Sequence, residues 1–244
     1  MSVPVFLVES SSLQDELIAL GGSEGRHAGV VRRLAVGERI DLTDGAGSVA
    51  SCEVAEAGKD GLTCHVLARR TDPPPFPRFT VVQALPKGDR GELAVEMLTE
   101  IGVDQVVPWA ASRCVTRWRG ERADKSLAKW RSAAREAAKQ SRRSWFPSVA
   151  PVASTSEVAS LLGRSAMPIV LHEAADTAVA AVTMPPAGDV VLIVGPEGGI
   201  SDEELAVFAG AGAQPRRLGP SVLRTSTAGV AAVAALMSRT ARWA

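Results

Sequence analysis

Along the first seventy residues the apolar positions come in short bursts. Residues 6–8, 39–42, 49–54 and 62–67 each read as a β-strand, and turns bearing Gly and Asp, such as Thr43-Asp44-Gly45, separate them. That spacing predicts a small β-barrel. Asp72-Pro73-Pro74-Pro75-Phe76-Pro77 is a stiff linker and the clearest boundary in the chain, dividing it into residues 1–72 and 73–244. Beyond the linker the period changes. Residues 80–85 read as a strand, and 91–101 as a helix with Leu93, Met97 and Ile101 on one face. A strand at 105–109 and a long basic helix at 125–143 follow, then buried strands at 169–171 and 190–194 and an Ala-rich closing helix at 228–237. Strands alternating with helices predict an α/β fold whose parallel sheet is covered on both faces. No internal repeat is visible.

Composition narrows the class. With 244 residues, 46% hydrophobic and 22% charged, the chain is in the globular range and long enough for a sizeable core. Its apolar runs fall short of a bilayer span, and the opening MSVPVFLVES has neither a basic n-region nor a cleavage signal, so a cytoplasmic protein with no membrane partner is expected. Cys52, Cys64 and Cys114 form no CxxC pair, and His27, His65 and His172 are scattered, which predicts neither a disulfide framework nor a metal site. The net charge of zero conceals a polarity. Between Arg113 and Arg143 there are 11 basic and 3 acidic residues, and between Ser144 and Pro215 there are 1 basic and 8 acidic. A basic face with so few acids points to a polyanion, RNA or DNA.

The chemistry concentrates in three loops. In VVLIVGPEGGISDEEL, residues 190–205, five apolar residues stop at Gly195, and Ser201 with Glu204 spells a capping box, so the stretch reads as strand, glycine turn, capped helix. Such turns at the carboxyl end of a buried strand are where open α/β sheets bind small ligands. No Gly-Lys-Ser/Thr follows, and the G-x-G-x-x-G spacing is absent, so this is neither a Walker loop nor a dinucleotide fingerprint. The candidate loops are Leu171-His172-Glu173; Gly195-Pro196-Glu197-Gly198-Gly199-Ile200; and the run from Leu218 and Gly219 through Leu223, Arg224, Thr225, Ser226 and Thr227 to Ala228. Singly, each is an ordinary turn or cap. Together they offer backbone N–H and C=O groups able to clasp an adenine and a ribose.

GPEGG followed by LGPSVLRTSTA resembles the signature pair of the RsmE family of ribosomal RNA uracil-N3 methyltransferases, within the SPOUT superfamily. The resemblance runs nearly the full length. His27-x5-Arg33-x3-Gly37 with Asp44-Gly45, Lys87 with Glu100-Ile101-Gly102-Val103, Ser112-Arg113-Cys114, and Gln140-Ser141-x-Arg143 with Pro147 are similar to family landmarks in the same order. The resemblance implies a PUA-like barrel that helps to hold RNA, followed by a SPOUT methyltransferase domain with a C-terminal trefoil knot. It also implies a homodimer, S-adenosylmethionine bound by the three loops, and 3-methyluridine made in 16S ribosomal RNA of the 30S subunit near the decoding region. Arg33, Lys87, Arg113, Arg135, Lys139, Arg142 and Arg143 are the expected RNA contacts.

Methyl transfer from a sulfonium needs no metal, but uracil N3 must lose its proton. Arginine stabilises developing charge well and is a poor general base because its own pKa is so high. Arg224 and Arg143 are therefore assigned to electrostatic stabilisation or RNA positioning. The general base stays open: His172 and Glu173 could act, and Glu100 could act or simply lie on a helix face. One departure stands out. The usual family form of the last motif is LRTETA, and Ser226 stands where the acidic residue is common. Two alternatives follow, a SPOUT enzyme acting on another RNA atom such as the ribose 2′-hydroxyl, and a non-catalytic RNA-binding assembly factor.

Overall fold

The early apolar bursts fold as a five-stranded sheet. The structure, a computed structural model, describes residues 3–185 and 188–243. In chain order β1 (Val5–Leu7), β2 (Leu17–Leu20), a short helix α1 (Gly22–Arg26), β3 (Arg39–Thr43), β4 (Ser48–Ala57) and β5 (Leu62–Thr71) make a sheet of order β1-β3-β4-β5-β2. β1 runs parallel to β3 and the other pairs are antiparallel. Alternation turns Ile40, Leu42, Cys52, Val54, Leu62 and Cys64 into one core with Phe6, Ile18 and Leu20. β2 is absent from the sequence reading because Leu17-Ile18-Ala19-Leu20 shows no alternation; only Ile18 and Leu20 point inward.

The turn at Asp44 is fixed by its own carboxylate. Oδ1 accepts from the N–H groups of Ala46 at 2.8 Å and Ser48 at 3.1 Å, and Oδ2 from the Ser10 hydroxyl at 3.0 Å. Partial burial alone would raise its pKa; the donated hydrogen bonds outweigh that and hold the carboxyl below the usual range.

The contact pattern divides the chain into two units. The first takes the chain up to Pro74 together with Ala138–Phe146, and the second takes Pro75–Ala137 and the chain from Pro147 onward. The reading of two contiguous pieces made no provision for residues 138–146. Within the first unit Lys139 Nζ meets Glu24 Oε1 at 2.8 Å, the Trp145 indole N–H donates to Asp72 O at 2.9 Å, and Phe146 N–H donates to Gly45 O at 2.9 Å.

The second unit contains β6 (Arg78–Ala84), α2 (Arg90–Glu100), β7 (Gln105–Trp109), most of α3 (Glu121–Gln140), β8 (Ser148–Val149), α4 (Thr155–Leu162), β9 (Met167–Leu171), β10 (Asp189–Val194), α5 (Asp202–Gly210), β11 (Gln214–Arg216) and α6 (Thr225–Met237). Its six strands are all parallel, in the order β11-β9-β10-β6-β7-β8. β10 is flanked by β6 and β9, with Val190 opposite both Phe79 and Met167, and its apolar run is buried throughout.

Three expectations change. The face of α2 expected to be buried is not the one used: Leu93 is 47% exposed, while Gly91, Ala94, Val95 and Leu98 face the core. Gly91 leaves room for Trp130 of α3 on that side, and α6 packs on α2, β6 and β10. α3 begins earlier than expected and stops at Gln140, because Arg142 takes a left-handed φ of 55°. α6 begins at Thr225, so the hydroxyl run forms its first turn rather than preceding it. β8, α4 and β11 are short elements that the periodicity did not mark.

Candidate active site

Parallel strands deliver their carboxyl-end loops to the same edge of a sheet, and here that edge is hollow. The loops leaving β9 and β10 and the one joining β11 to α6 bound a cavity of about 390 Å³. That is within the roughly 300–1,000 Å³ of small-molecule sites. Leu171, His172, Glu173, Gly195, Pro196, Glu197, Gly199, Ile200, Leu218, Gly219, Leu223 and Thr225, all expected to hold a cofactor, line it together with Arg224.

Gly198, Ser226 and Thr227 do not line it. Gly198 backs onto Arg113, whose Nη1 lies 3.4 Å from its carbonyl. Ser226 is buried one residue into α6. Thr227 is exposed and bonds the Arg224 carbonyl at 3.2 Å. Arg143 belongs to the first unit and is not among the lining residues.

The loops are held by polar contacts. Ser201 and Glu204 form the capping box that starts α5. Glu204 is buried and reaches further: Oε1 accepts from Ser112 N–H at 2.8 Å and the Thr155 hydroxyl at 3.3 Å, while Oε2 accepts from Ser201 N–H at 3.1 Å. Gly199 turns at φ 73°, where a β-carbon would be strained. The Thr225 hydroxyl donates to Gly195 O at 2.8 Å and accepts from the buried Gln83 Nε2 at 3.1 Å, which fixes the start of α6 to the glycine loop. Glu197 Oε1 accepts from Lys87 N–H at 3.2 Å and lies 3.9 Å from Arg90 Nη1, so it clamps the loop. His172 Nδ1 accepts from Ala174 N–H at 3.2 Å, which puts the proton of the neutral ring on Nε2. Glu100 is exposed and outside the cavity.

The sequence reading missed two cavity arginines. Arg90 enters from the first turn of α2 and Arg216 from the end of β11. Arg216 is among the lining residues; its Nε is buried with no hydrogen-bond partner, and its Nη1 donates to Pro215 O at 2.8 Å. The pair Arg216-Arg217 just before LGPSV was the only signal.

The expected RNA contacts are scattered differently from the reading. Lys87, Arg113 and Arg135 are exposed on the second unit, and Arg33 and Arg142 on the first; Arg143 is half-buried. Lys139 is the correction: at 5% exposure and paired with Glu24, it secures the first unit and is not available to a phosphate. All three cysteines are free and buried. Burial raises the Cys52 thiol to about 12 and the Cys64 thiol to about 11. Among the described residues no cluster of three or more His, Cys, Asp or Glu could hold a metal, and no helix is long and apolar enough to cross a membrane.

Fold and site together define a chain whose α/β unit carries a small-ligand cavity at the carboxyl edge of its parallel strands, joined to a separate small β-unit. Residues 73–237 match the RNA methyltransferase domain family, and residues 20–67 match the RNA methyltransferase PUA domain. The ribosomal RNA small subunit methyltransferase E of Mycobacterium tuberculosis is 45% identical over all of this chain and 94% of its own length. The protein of that name from Bacillus subtilis is 28% identical over 91% of this chain and 90% of its own. Among solved structures, the Neisseria gonorrhoeae ribosomal RNA small subunit methyltransferase E bound to S-adenosylmethionine is 26% identical. It covers 98% of each chain with a TM-score of 0.86. A Legionella pneumophila methyltransferase in complex with the same cofactor is 27% identical, with 98% of each chain covered and a TM-score of 0.88. The chain belongs to the ribosomal RNA small subunit methyltransferase E family.

Proposed function

We propose that this protein methylates N3 of a uridine in 16S ribosomal RNA of the small subunit near the decoding region, with S-adenosylmethionine as donor, as a cytoplasmic homodimer. The observation that carries this reading is the cavity itself, in which the expected cofactor loops converge around Arg224. The residues present suit the donor. The glycine loop and Leu218-Gly219 border an adenosyl-sized space, and a lining arginine, Arg216, suits an anionic group such as the cofactor's carboxylate. When bound, the cofactor supplies an electrophilic methyl group on a sulfonium.

Arg224, exposed at the N-cap of α6, stabilises the negative charge that develops on the uracil oxygens as N3 loses its proton. Thr225 and Gln83 hold the backbone of that arginine against the glycine loop. Arg33, Lys87, Arg113, Arg135, Arg142 and Arg143 serve the RNA backbone. The exposed Val222 and Leu223 beside the cavity are the kind of surface a second copy would cover, which supports the dimer. The strand order supports the knot: β11 lies outside β9, so the chain must come back across the ends of β9 and β10 before α6 packs on β10 and β6.

Nucleoside mass spectrometry of small-subunit RNA incubated with the protein and S-adenosylmethionine tests the reading. 3-methyluridine is expected, abolished by omitting the cofactor. A ribose-methylated product would establish the 2′-hydroxyl alternative, and RNA binding without any methylation would establish the non-catalytic one.

A further inference from the structure

A second hollow, of about 380 Å³, lies in the same unit and shares a wall with the cofactor cavity. The wall is the segment entering α2: Arg90 lines the cavity, whereas Pro86, Gly91 and Glu92 line the second hollow. Thr116 donates its hydroxyl to Pro86 O at 2.8 Å, and Lys87 is tied to Glu197, so this segment is fixed from both sides. The floor is aromatic. Trp130 of α3 is buried against Gly91, where a β-carbon would stand 2.6 Å from its ring. Trp118 meets Trp130 edge-on at 5.1 Å and remains half-buried.

The rim is cationic. Arg117 is braced by the carbonyls of Ala111 at 2.8 Å and Ser112 at 2.6 Å. Arg122 and Lys129 are seven residues apart on α3, two turns, hence on one face, and both are exposed. Among the described residues neither has a carboxylate within 4 Å, and Glu92 is the only acid in the lining. A half-exposed indole ringed by three cations is the combination that single-stranded nucleic acid uses, with base stacking on the ring and phosphates on the charges.

We infer that this groove seats single-stranded RNA immediately beside the nucleotide to be methylated, with one base on Trp118 and phosphates on Arg122 and Lys129. The inference rests on the RNA-methylation reading above and adds the place of the flanking strand. Its test uses the full chain, a labelled single-stranded small-subunit RNA, and three variants: Trp118→Ala, Trp118→Phe and the double Arg122→Glu/Lys129→Glu. S-adenosylmethionine affinity, read by calorimetry, is expected to be unchanged in all three.

Trp118→Ala should weaken RNA binding by about fivefold or more, the loss of one base stack. The double reversal should reduce the slope of log K against log salt by about 1.4, the loss of two single-strand phosphate contacts. Trp118→Phe keeps the packing and should reduce the fluorescence quenching that accompanies RNA addition. The double variant alters only exposed side chains, so it reports even if Trp118→Ala does not fold. Unchanged RNA affinity and salt slope in the double variant would overturn the groove while leaving the methylation reading intact. Loss of RNA binding in the variants, with a wild-type protein that makes no 3-methyluridine, would leave the groove and remove the reading. A wild-type protein that binds no RNA removes both.

Discussion

Glu204 offers the sharpest test of how the cavity is built. Its carboxylate accepts from two backbone N–H groups and one hydroxyl while its residue is only 5% exposed. Glu204→Ala strands the Ser112 and Ser201 N–H groups and removes half of the capping box. At about 1–3 kcal/mol for each stranded buried donor, with Ser112 partly reached by water, the loss should total about 3–5 kcal/mol. Glu204→Gln is informative because its shape is kept. An amide oxygen can still serve Ser112 and Thr155, but the amide nitrogen then faces the Ser201 N–H, donor against donor, for a loss of about 1–2 kcal/mol.

Urea unfolding at pH 7 read by tryptophan emission suits the purpose, since Trp109 donates to the same Thr155 hydroxyl at 3.2 Å and packs edge-on against Phe208 at 5.2 Å. The two variants should be ordered Gln above Ala by at least about 1 kcal/mol. If they unfold together, within experimental scatter of the wild type, the network is a spectator and the glycine loop is held by something else.

Two further outcomes follow from the same geometry. Gly219 lines the cavity, and a β-carbon added there would meet nothing within 4 Å, whereas one at Gly195 would stand 2.7 Å from Ile200 Cγ1. Gly219→Ala should therefore lower S-adenosylmethionine affinity with an unchanged melting temperature, and Gly195→Ala should cost about 1–3 kcal/mol of stability as well; equal melting temperatures for the two would refute the distinction. For the buried thiols the sign is fixed by their raised pKa values. They stabilise the fold fully below the unfolded value of 9.0 and lose that contribution as pH rises toward about 11 for Cys64 and about 12 for Cys52. The chain has no tyrosine to cloud that window, so the urea midpoint should fall between about pH 8.5 and 10.5, and less steeply in Cys52→Ala; a flat profile would refute it.

What could be read from the sequence was whatever carries a strong local period or cap. β7 was placed to the residue, and Ser201 with Glu204 marked the start of α5. The loops were legible because glycine, proline and hydroxyl residues cluster after β10 and at the start of α6. β2, β8 and β11 escaped because two to four residues cannot display a period, and their pairing comes from partners far away in sequence. The buried side of α2 differs from the expected one because Gly91 and Ala94 are weakly apolar and give little signal, yet both are buried. Lys139 was counted with the cations of α3, since nothing in its neighbourhood announces that Glu24, 115 residues earlier, would bury and neutralise it. Arg90 and Arg216 reach the cavity through the placement of helix and strand ends, which local pattern does not encode.

The return of residues 138–146 to the first unit has a consequence for the order in which this protein can be made. A ribosome releases the chain from its amino end, and a contiguous first domain could close as soon as Pro74 emerged. Here Lys139, Ser144, Trp145 and Phe146 supply partners for Glu24, Gly47, Asp72 and Gly45. At about 5–20 residues per second, roughly 4–14 seconds of further synthesis must pass before those partners arrive. During that interval Glu24 Oε1, the carbonyls of Gly45 and Asp72 and the Gly47 N–H lack these partners. Neither unit, then, is one continuous stretch of chain: the last piece of the first is made between the two pieces of the second.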